Sequence, residues 1–395
     1  MKKILAISYL PPMPDQQSGD LRFFSILQIL TKSGQVTLAI RNLSSWRLKT
    51  PDYKRYESMF MDAGITLFEG NIFSAINSDK FDLVIFEFYY STTEFFEMAR
   101  YFQPHAILAI DTVDVHFNRM QAKAALTGEV SDKEEAQQVR SKELNAYQKA
   151  DVVIAVSEDD KTLLKKILPN KYITVLPNVH IIHEPATQKM REFGRLIFIG
   201  GLAFSPNIDA VLYFLTEVMP IIRTRTNDVK LSIIGSNVPQ EIINMASQDV
   251  EIIGYVPDTT PYLQSAYISI APLRYGGGMK GKVGEAMSHG LPVVTTRFGA
   301  EGFGLIPGVD LLVAETPDTF ADAIVKLLDD TIYYNKVSDA GYCFIKDNYS
   351  PQSMQIKIES FLELINKITP LKSAWHERLP YHFKILFERY IGWRF

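Results

Sequence analysis

Residues 271–303 read Ala-Pro-Leu-Arg-Tyr-Gly-Gly-Gly-Met-Lys-Gly-Lys-Val-Gly-Glu-Ala-Met-Ser-His-Gly-Leu-Pro-Val-Val-Thr-Thr-Arg-Phe-Gly-Ala-Glu-Gly-Phe, and they concentrate the chemistry of the chain. Gly276, Gly277 and Gly278 permit unusual backbone angles and close approach of a ligand. The spacing predicts a helix over 280–289, closed by Gly290 as a left-handed cap. A glycine turn feeding a helix start is an anion site, because free N–H groups and the helix dipole point the same way. Arg274, Lys280 and Lys282 add cations where a diphosphate would sit. Glu285, inside the helix, can accept hydrogen bonds from a ribose diol, as the acidic residue of dinucleotide folds does. Glu301, after Gly299-Ala300, is a second candidate for the ribose or sugar. The competing reading is a plain turn with solvated charges. It accounts for glycines alone, but not for glycines, three cations and a helix start together.

A second glycine turn, Gly200-Gly201, follows an apolar run and precedes a helix for which Ser205 is the expected N-cap and Pro206 the first residue. Its backbone N–H groups are candidates for the same phosphates. Elsewhere, Asp111, Asp114, His116 and Arg119 follow another apolar run. His116 is placed to orient a bound hydroxyl. Asp111 reads equally as a helix cap, and Asp-x-x-Asp-x-His also has metal-ligand types. No second His or carboxylate cluster joins it, so no divalent metal is expected. Gly19, Asp20 and Arg22 sit after the first apolar run and are expected to contact ligand, a phosphate among the candidates, with Asp20 as a helix cap the alternative. Neither a hydrolase nucleophile elbow nor a lysine-type phosphate loop occurs.

These residues need elements to hold them at one place. Near-continuous apolar runs at 4–8, 36–40, 83–88, 106–110, 152–156 and 173–176 suit parallel strands covered on both faces. Amphipathic stretches such as 20–32 and 133–149 alternate with them. The pattern pauses over 180–194 and restarts at 195–199, 229–234, 251–253, 267–271, 293–295 and 310–313. Strand-helix alternation in two blocks predicts an α/β fold of two Rossmann-like, doubly wound domains. The expected units are 1–179, a linker 180–194, a second domain 195–368 and a tail 369–395. Ligand is expected in the cleft between them, at strand C-terminal ends.

The order of these motifs resembles the retaining, nucleotide-sugar-dependent glycosyltransferases of family 4. The resemblance rests on Gly200-Gly201 with Ser205-Pro206-Asn207, on Gly254-Tyr255-Val256-Pro257-Asp258 and on the 271–303 segment. It rests more loosely on Pro11-Pro12, Gly19-Asp20-Leu21-Arg22, Asp111 to His116, Ala150-Asp151-Val152-Val153 and Val156-Ser157-Glu158. It implies the GT-B fold, with C-terminal helices crossing back to the first domain, the sugar nucleotide on the second domain and a glycan or lipid-linked acceptor on the first. It implies no cofactor beyond the donor substrate, and a front-face mechanism in which the departing phosphate takes the acceptor proton. Glu285 matches the second of the family's paired glutamates, while Gly277 stands where the first is common. The basic pair common after the first strand of the second domain is also missing, since residues 200–209 hold no Lys or Arg. Those departures leave two alternatives: a non-catalytic GT-B module that binds a sugar nucleotide or partner enzyme, and a sugar-nucleotide epimerase.

Composition sets the outer limits. The chain has 395 residues, 47% apolar and 22% charged, with 41 basic against 45 acidic residues. A net charge of -4 argues against a nucleic-acid binder. The lone Cys343 excludes an internal disulfide and suits a reducing, cytoplasmic setting. No apolar run approaches the ~18–20 residues of a membrane span. The start, Met-Lys-Lys and an apolar run, mimics a secretory signal but is cut off by Pro11-Pro12, so a buried strand is expected. The segment from Leu371 to Phe395 carries five Lys/Arg and seven aromatic residues. It reads as a helix packing on the first domain or as a peripheral membrane anchor.

Overall fold

The computed structural model describes residues 1–275 and 279–372. The first sheet holds β1 (Lys2–Ser8), β2 (Gly34–Ile40), β3 (Ile65–Leu67), β4 (Leu83–Glu87), β5 (Ile107–Asp111), β6 (Val152–Ala155) and β7 (Tyr172–Val175). All pair in parallel, in the order β3-β2-β1-β4-β5-β6-β7. The second sheet holds β8 (Arg195–Ile199), β9 (Lys230–Ile234), β10 (Val250–Gly254), β11 (Ile268–Ala271), β12 (Val293–Thr295) and β13 (Leu312–Val313). These too are parallel, in the order β10-β9-β8-β11-β12-β13. The expected pair of doubly wound domains is therefore present, with strand order reversing at the first strand of each sheet.

The apolar runs follow from this layering. In β1, Ile4 and Ala6 join the core on one face and Leu5 and Ile7 the core on the other. Leu83 and Ile85 of β4 share the first core, Val84 and Phe86 the second. In the second sheet Leu196 and Phe198 face one core and Ile197 the opposite one. Each fully buried Leu, Ile or Phe contributes ~1.5–3 kcal/mol by leaving water, so a strand covered on both faces is a nearly continuous apolar run, with buried polar exceptions such as Asp111, Ser232 and Ser269.

The helix Pro351–Lys367 returns to the first domain. Met354, Ile358, Phe361, Leu362 and Ile365 form its apolar stripe and enter the core of β1 and β2. Ser350 caps its start by accepting from the Ser353 N–H. The Leu371 N–H reaches Asp151 in the first domain at 2.7 Å. The aromatic and basic residues from Trp375 onward lie outside the described residues. Among the described residues no helix is long and apolar enough to cross a membrane.

One helix start differs from the expected one. The helix Ser205–Tyr213 takes Phe204 as its N-cap, so Ser205 is already its first residue and makes no cap. The helix Gly281–Ser288 ends as expected, with Gly290 at φ 63°.

The C-terminal ends of the two sheets face each other. Asp159, on the helix after β6, accepts the Gly302 N–H at 3.1 Å. Arg119 lies 5.6 Å over the Phe204 ring. A Cβ on Gly281 would come within 2.5 Å of Ser18 Cβ, so two helix starts meet across the gap.

Candidate functional site

On the second domain, the site is built around the helix Gly281–Ser288. Lys282 projects from its first turn, and its Nζ donates to Asn207 Oδ1 at 2.6 Å and sits 4.2 Å over the Phe198 ring. Gly200 is required here: a Cβ would meet that ammonium at 2.6 Å and the Asn207 amide at 2.8 Å. Burial, then the neighbouring Lys280, pull the Lys282 ammonium down to about 7, against the opposing pull of Glu285. Lys280 is 9% exposed and lies 3.9 Å from Glu301. Burial lowers its pKa, while Glu301, Asp114 and Asp160 work against that. Glu285 accepts from the Thr259 hydroxyl at 2.6 Å, and burial pushes its carboxyl up. Burial likewise raises Glu301.

On the first domain, the loop after β5 bends sharply. The Asp114 N–H bonds Thr112 O at 2.6 Å around Val113, whose φ is 56°. That is a γ-turn, rare and strained, and more so for a β-branched residue. After β4, Phe88 has φ 62°. Two such residues cost ~1–3 kcal/mol each and persist where the surrounding structure imposes them. Their result is that His116 stands at the mouth of the sheet between the Phe88 and Tyr89 rings, at 5.6 and 5.4 Å. Its Nδ1 lies 3.0 Å from Asp114 and 3.5 Å from Glu143. Arg119 Nε lies 3.0 Å from the other Asp114 oxygen. Burial opposes protonation of His116, but Glu143 and Asp114 outweigh it and raise its pKa. Asp114 Oδ1, His116 Nδ1 and Arg119 Nε are buried without an aligned hydrogen bond, so the cluster keeps hydrogen-bonding capacity in reserve.

Residues 194–330 match the family described as Glycosyl transferases group 1. Sucrose-phosphate synthase from Thermosynechococcus elongatus superposes with a TM-score of 0.66 at 12% identity, over 92% of this chain and 99% of that one. Anabaena HepE, in complex with UDP and glucose, superposes with a TM-score of 0.66 at 12% identity, over 92% and 100% of the two chains. This is the GT-B fold. In sequence, the chain is 27% identical over 168 residues to an uncharacterized 44.6 kDa protein in the cps region of Klebsiella pneumoniae. That match takes in 40% of this chain and 43% of the relative, less than half of its length.

Among the described residues, those expected at the site gather mainly on the two rims of the GT-B cleft. Lys280, Lys282, Glu285 and Glu301 gather on the second domain's rim with Gly200, while Gly201 lies beside Ser236. Asp114, His116 and Arg119 gather on the first domain's rim, close enough that Asp114 acts electrostatically on Lys280. Gly276, Gly277 and Gly278 lie outside the described residues.

Four charged residues have other partners than expected. Asp111 and Arg22 bind each other, Nη1 to Oδ2 at 2.7 Å, with both side chains at most 1% exposed. Arg22 also donates to Leu176 O. Neither can touch a substrate; together they hold β5 against the helix Ser18–Leu30. Asp111 is thus neither catalytic nor a helix cap. Arg274 donates from Nε and Nη2, one edge of its guanidinium, to the two Asp209 oxygens and lies 5.1 Å over the Tyr213 ring, so its charge is matched within its own domain. Asp20 does not cap its helix; it accepts the Met13 N–H at 2.9 Å and ties down the loop before Gly19. Gly19 itself packs on Val113, where a Cβ would come within 3.1 Å.

Two residues of the site escape the sequence. Glu143, fully buried, accepts the N–H groups of His116 and Phe117 at 3.1 and 2.9 Å and so caps the helix His116–Thr127 from outside. Nothing distinguishes it from the other charges of the helix Val130–Lys149. Asp160, capped into its helix by Ser157, is pushed up to about 6 by burial and lies within electrostatic reach of Lys280.

Proposed function

We propose that the chain transfers a glycosyl group from a nucleotide-diphosphate sugar to a glycan or lipid-linked saccharide, with retention and without a divalent metal, in the synthesis of a cell-surface polysaccharide or related glycan. The observation that carries this reading is the meeting, in one GT-B cleft, of a cation-bearing helix start with a histidine-carboxylate-arginine cluster.

As the bond between the anomeric carbon and the β-phosphate oxygen breaks, negative charge grows on that oxygen. Lys282 and the start of the helix Gly281–Ser288 supply a cation and N–H donors there, with Lys280 beside them. Glu285, with one oxygen on Thr259, has the other for the ribose diol. His116, with Nδ1 held by Asp114 and Glu143, has Nε2 for a sugar hydroxyl. The new bond joins the acceptor oxygen to the anomeric carbon, and the acceptor proton ends on the departing phosphate. The carboxylates nearest His116 already serve Arg119 and backbone N–H groups, so the donor set suits hydrogen bonding to a sugar better than metal ligation.

The test is a product assay. Purified chain is incubated with UDP-, GDP-, dTDP- and CMP-sugars, with and without a membrane or glycan extract as acceptor. Release of nucleoside diphosphate that depends on Lys282 is expected. Interconversion of the donor sugar with no acceptor present would point to an epimerase, and tight nucleotide binding without turnover to a binding module.

A further inference from the structure

The mouth of the first sheet carries a line of aromatic rings that the transfer chemistry does not use. Tyr9 follows β1, Arg41 follows β2, Phe88 to Tyr90 follow β4 and His116 follows β5. The strand order is β2-β1-β4-β5, so these side chains come from four adjacent strand ends and run outward from His116 in a row. Ring contacts mark the row. His116 meets Phe88 at 5.6 Å, Phe88 stacks on Tyr90 at 5.0 Å, and Tyr90 meets Tyr9 edge-on at 5.9 Å. Arg41 closes it, 5.1 Å over the Tyr9 ring. The outer rings are not core: Tyr9 is 37% exposed, Tyr90 40% and the neighbouring Leu10 49%.

The charge along this row is matched. Arg41 pairs with Glu94 at 2.8 Å and donates to the Tyr9 hydroxyl at 3.1 Å. Beneath it, buried Glu87 accepts from the Ser8 hydroxyl, and burial pushes its carboxyl well up. A surface with matched charges offers no grip to a phosphate or a carboxylate, and no surplus cation to an anionic lipid surface. Rings with hydroxyl tips beside bound polar groups fit instead a ligand that is apolar on one face and hydroxylated at its rim.

We propose that Tyr9 and Tyr90 form a stacking platform for a neutral pyranose of the acceptor, leading from His116 outward along the sheet. This rests on the glycosyltransferase reading and names its acceptor class: a neutral saccharide lies against the first domain, whatever carries its far end. Tyr90 is the inner ring, nearest the reacting centre, and Tyr9 the outer one.

Saturation-transfer NMR on the full chain tests this. The probes are the methyl α- and β-pyranosides of glucose, galactose and mannose, with UDP, GDP or dTDP present in parallel samples. At least one glycoside is expected to saturate, most strongly at the C–H protons of one ring face. The effect should fall roughly tenfold in Tyr90→Ala and several-fold in Tyr9→Ala, and persist in Tyr90→Phe, which keeps the ring. Nucleotide saturation in the same tubes should be unchanged and reports that each variant is folded. No saturated glycoside alongside a saturated nucleotide would overturn the platform alone. So would glycoside signals indifferent to both alanine variants, or phosphatidylglycerol vesicles that retain the wild type but not the variants. Failure of every nucleotide to saturate would instead remove the glycosyltransferase reading beneath it.

Discussion

The two rims of the cleft handle charge in opposite ways. On the first domain each cation near the sheet mouth has an acid: Arg22 with Asp111, Arg119 with Asp114, Arg41 with Glu94. On the second domain the partners of Lys282 among the described residues are an amide oxygen and an aromatic ring. The glycine at position 200 presses bare backbone against that ammonium. One rim is internally neutralised and presents rings and hydrogen-bonding groups; on the other, where Lys280 has Glu301 and Arg274 has Asp209, Lys282 holds positive charge that its own burial disfavours. On the proposed function, a charged, phosphate-bearing donor would lie on the second rim and a neutral acceptor on the first. The difference is a division of labour that motif matching leaves open, because both rims contain the same residue types.

The largest effect expected from breaking this contrast is structural. Asp111→Ala leaves Arg22 buried without its partner, which should cost ~3–5 kcal/mol of stability. Urea unfolding measures it. Turnover by the folded fraction should be nearly intact, because neither side chain reaches the cleft. A variant of normal stability that has lost turnover would put Asp111 back at the substrate and dissolve the contrast.

On the other rim, Lys282→Ala should act on chemistry. Losing a donor to the leaving oxygen costs ~2.7–4 kcal/mol, or roughly 10²–10³ in kcat. Stability should not fall. The fold lowers the pKa of Lys282, so the folded state disfavours its charged form, and that penalty is full below about 7 and fades as pH rises from there toward the ordinary lysine value. Thermal melts of Lys282→Met at pH 6 should therefore match or exceed wild type. A clear loss would mean that Lys282 is a structural anchor.

The same shift predicts a pH dependence of donor binding. Free protein loses the Lys282 proton above about 7, and a diphosphate binds the protonated form better. Nucleotide binding should take up a proton, and affinity should fall above pH 7, toward tenfold per pH unit. Calorimetry in buffers of different ionisation enthalpy reads the uptake directly. Lys282→Arg should flatten the profile, and a profile equally steep in that variant would assign the effect elsewhere.

What could be seen in the sequence, and what could not, follows the same physical divide. Strands such as β1 and β4 are legible because both faces are buried and the code is simply apolar. The three-residue β3 is too short to carry a period and goes unread. Lys280, Lys282 and Glu285 are legible as a site because they lie within one turn-helix unit. Asp111 and Arg22 look like substrate contacts because they stand 89 residues apart, and only the packed sheet brings them together. Glu143 is hidden for the converse reason, a buried carboxylate on a helix whose sequence reads as solvated. Phe88 reads as the end of a buried strand, and Tyr89 and Tyr90 carry no signal until the strand order lines them up with Tyr9.

The smallest effect tests whether the two rims are mechanically joined. Arg119 holds Asp114 on its own domain and lies over Phe204 of the other. A half-exposed cation-aromatic contact is worth ~0.5–1 kcal/mol, so Phe204→Ala should barely move the melting temperature. It should nevertheless let the first-domain cluster move apart from the second. Amide exchange over 116–119 should then rise a few-fold, while exchange in β8 and β9 stays as it was. Because Asp114 keeps its ion pair in the variant, His116 should keep its raised pKa, and an NMR titration of that ring separates loss of closure from collapse of the cluster. Faster exchange with an unchanged His116 titration would make Arg119 the hinge contact between a neutral rim and a cationic one. A shifted titration would mean that the second domain helps to set the charge of the first, and that the two rims form one electrostatic unit.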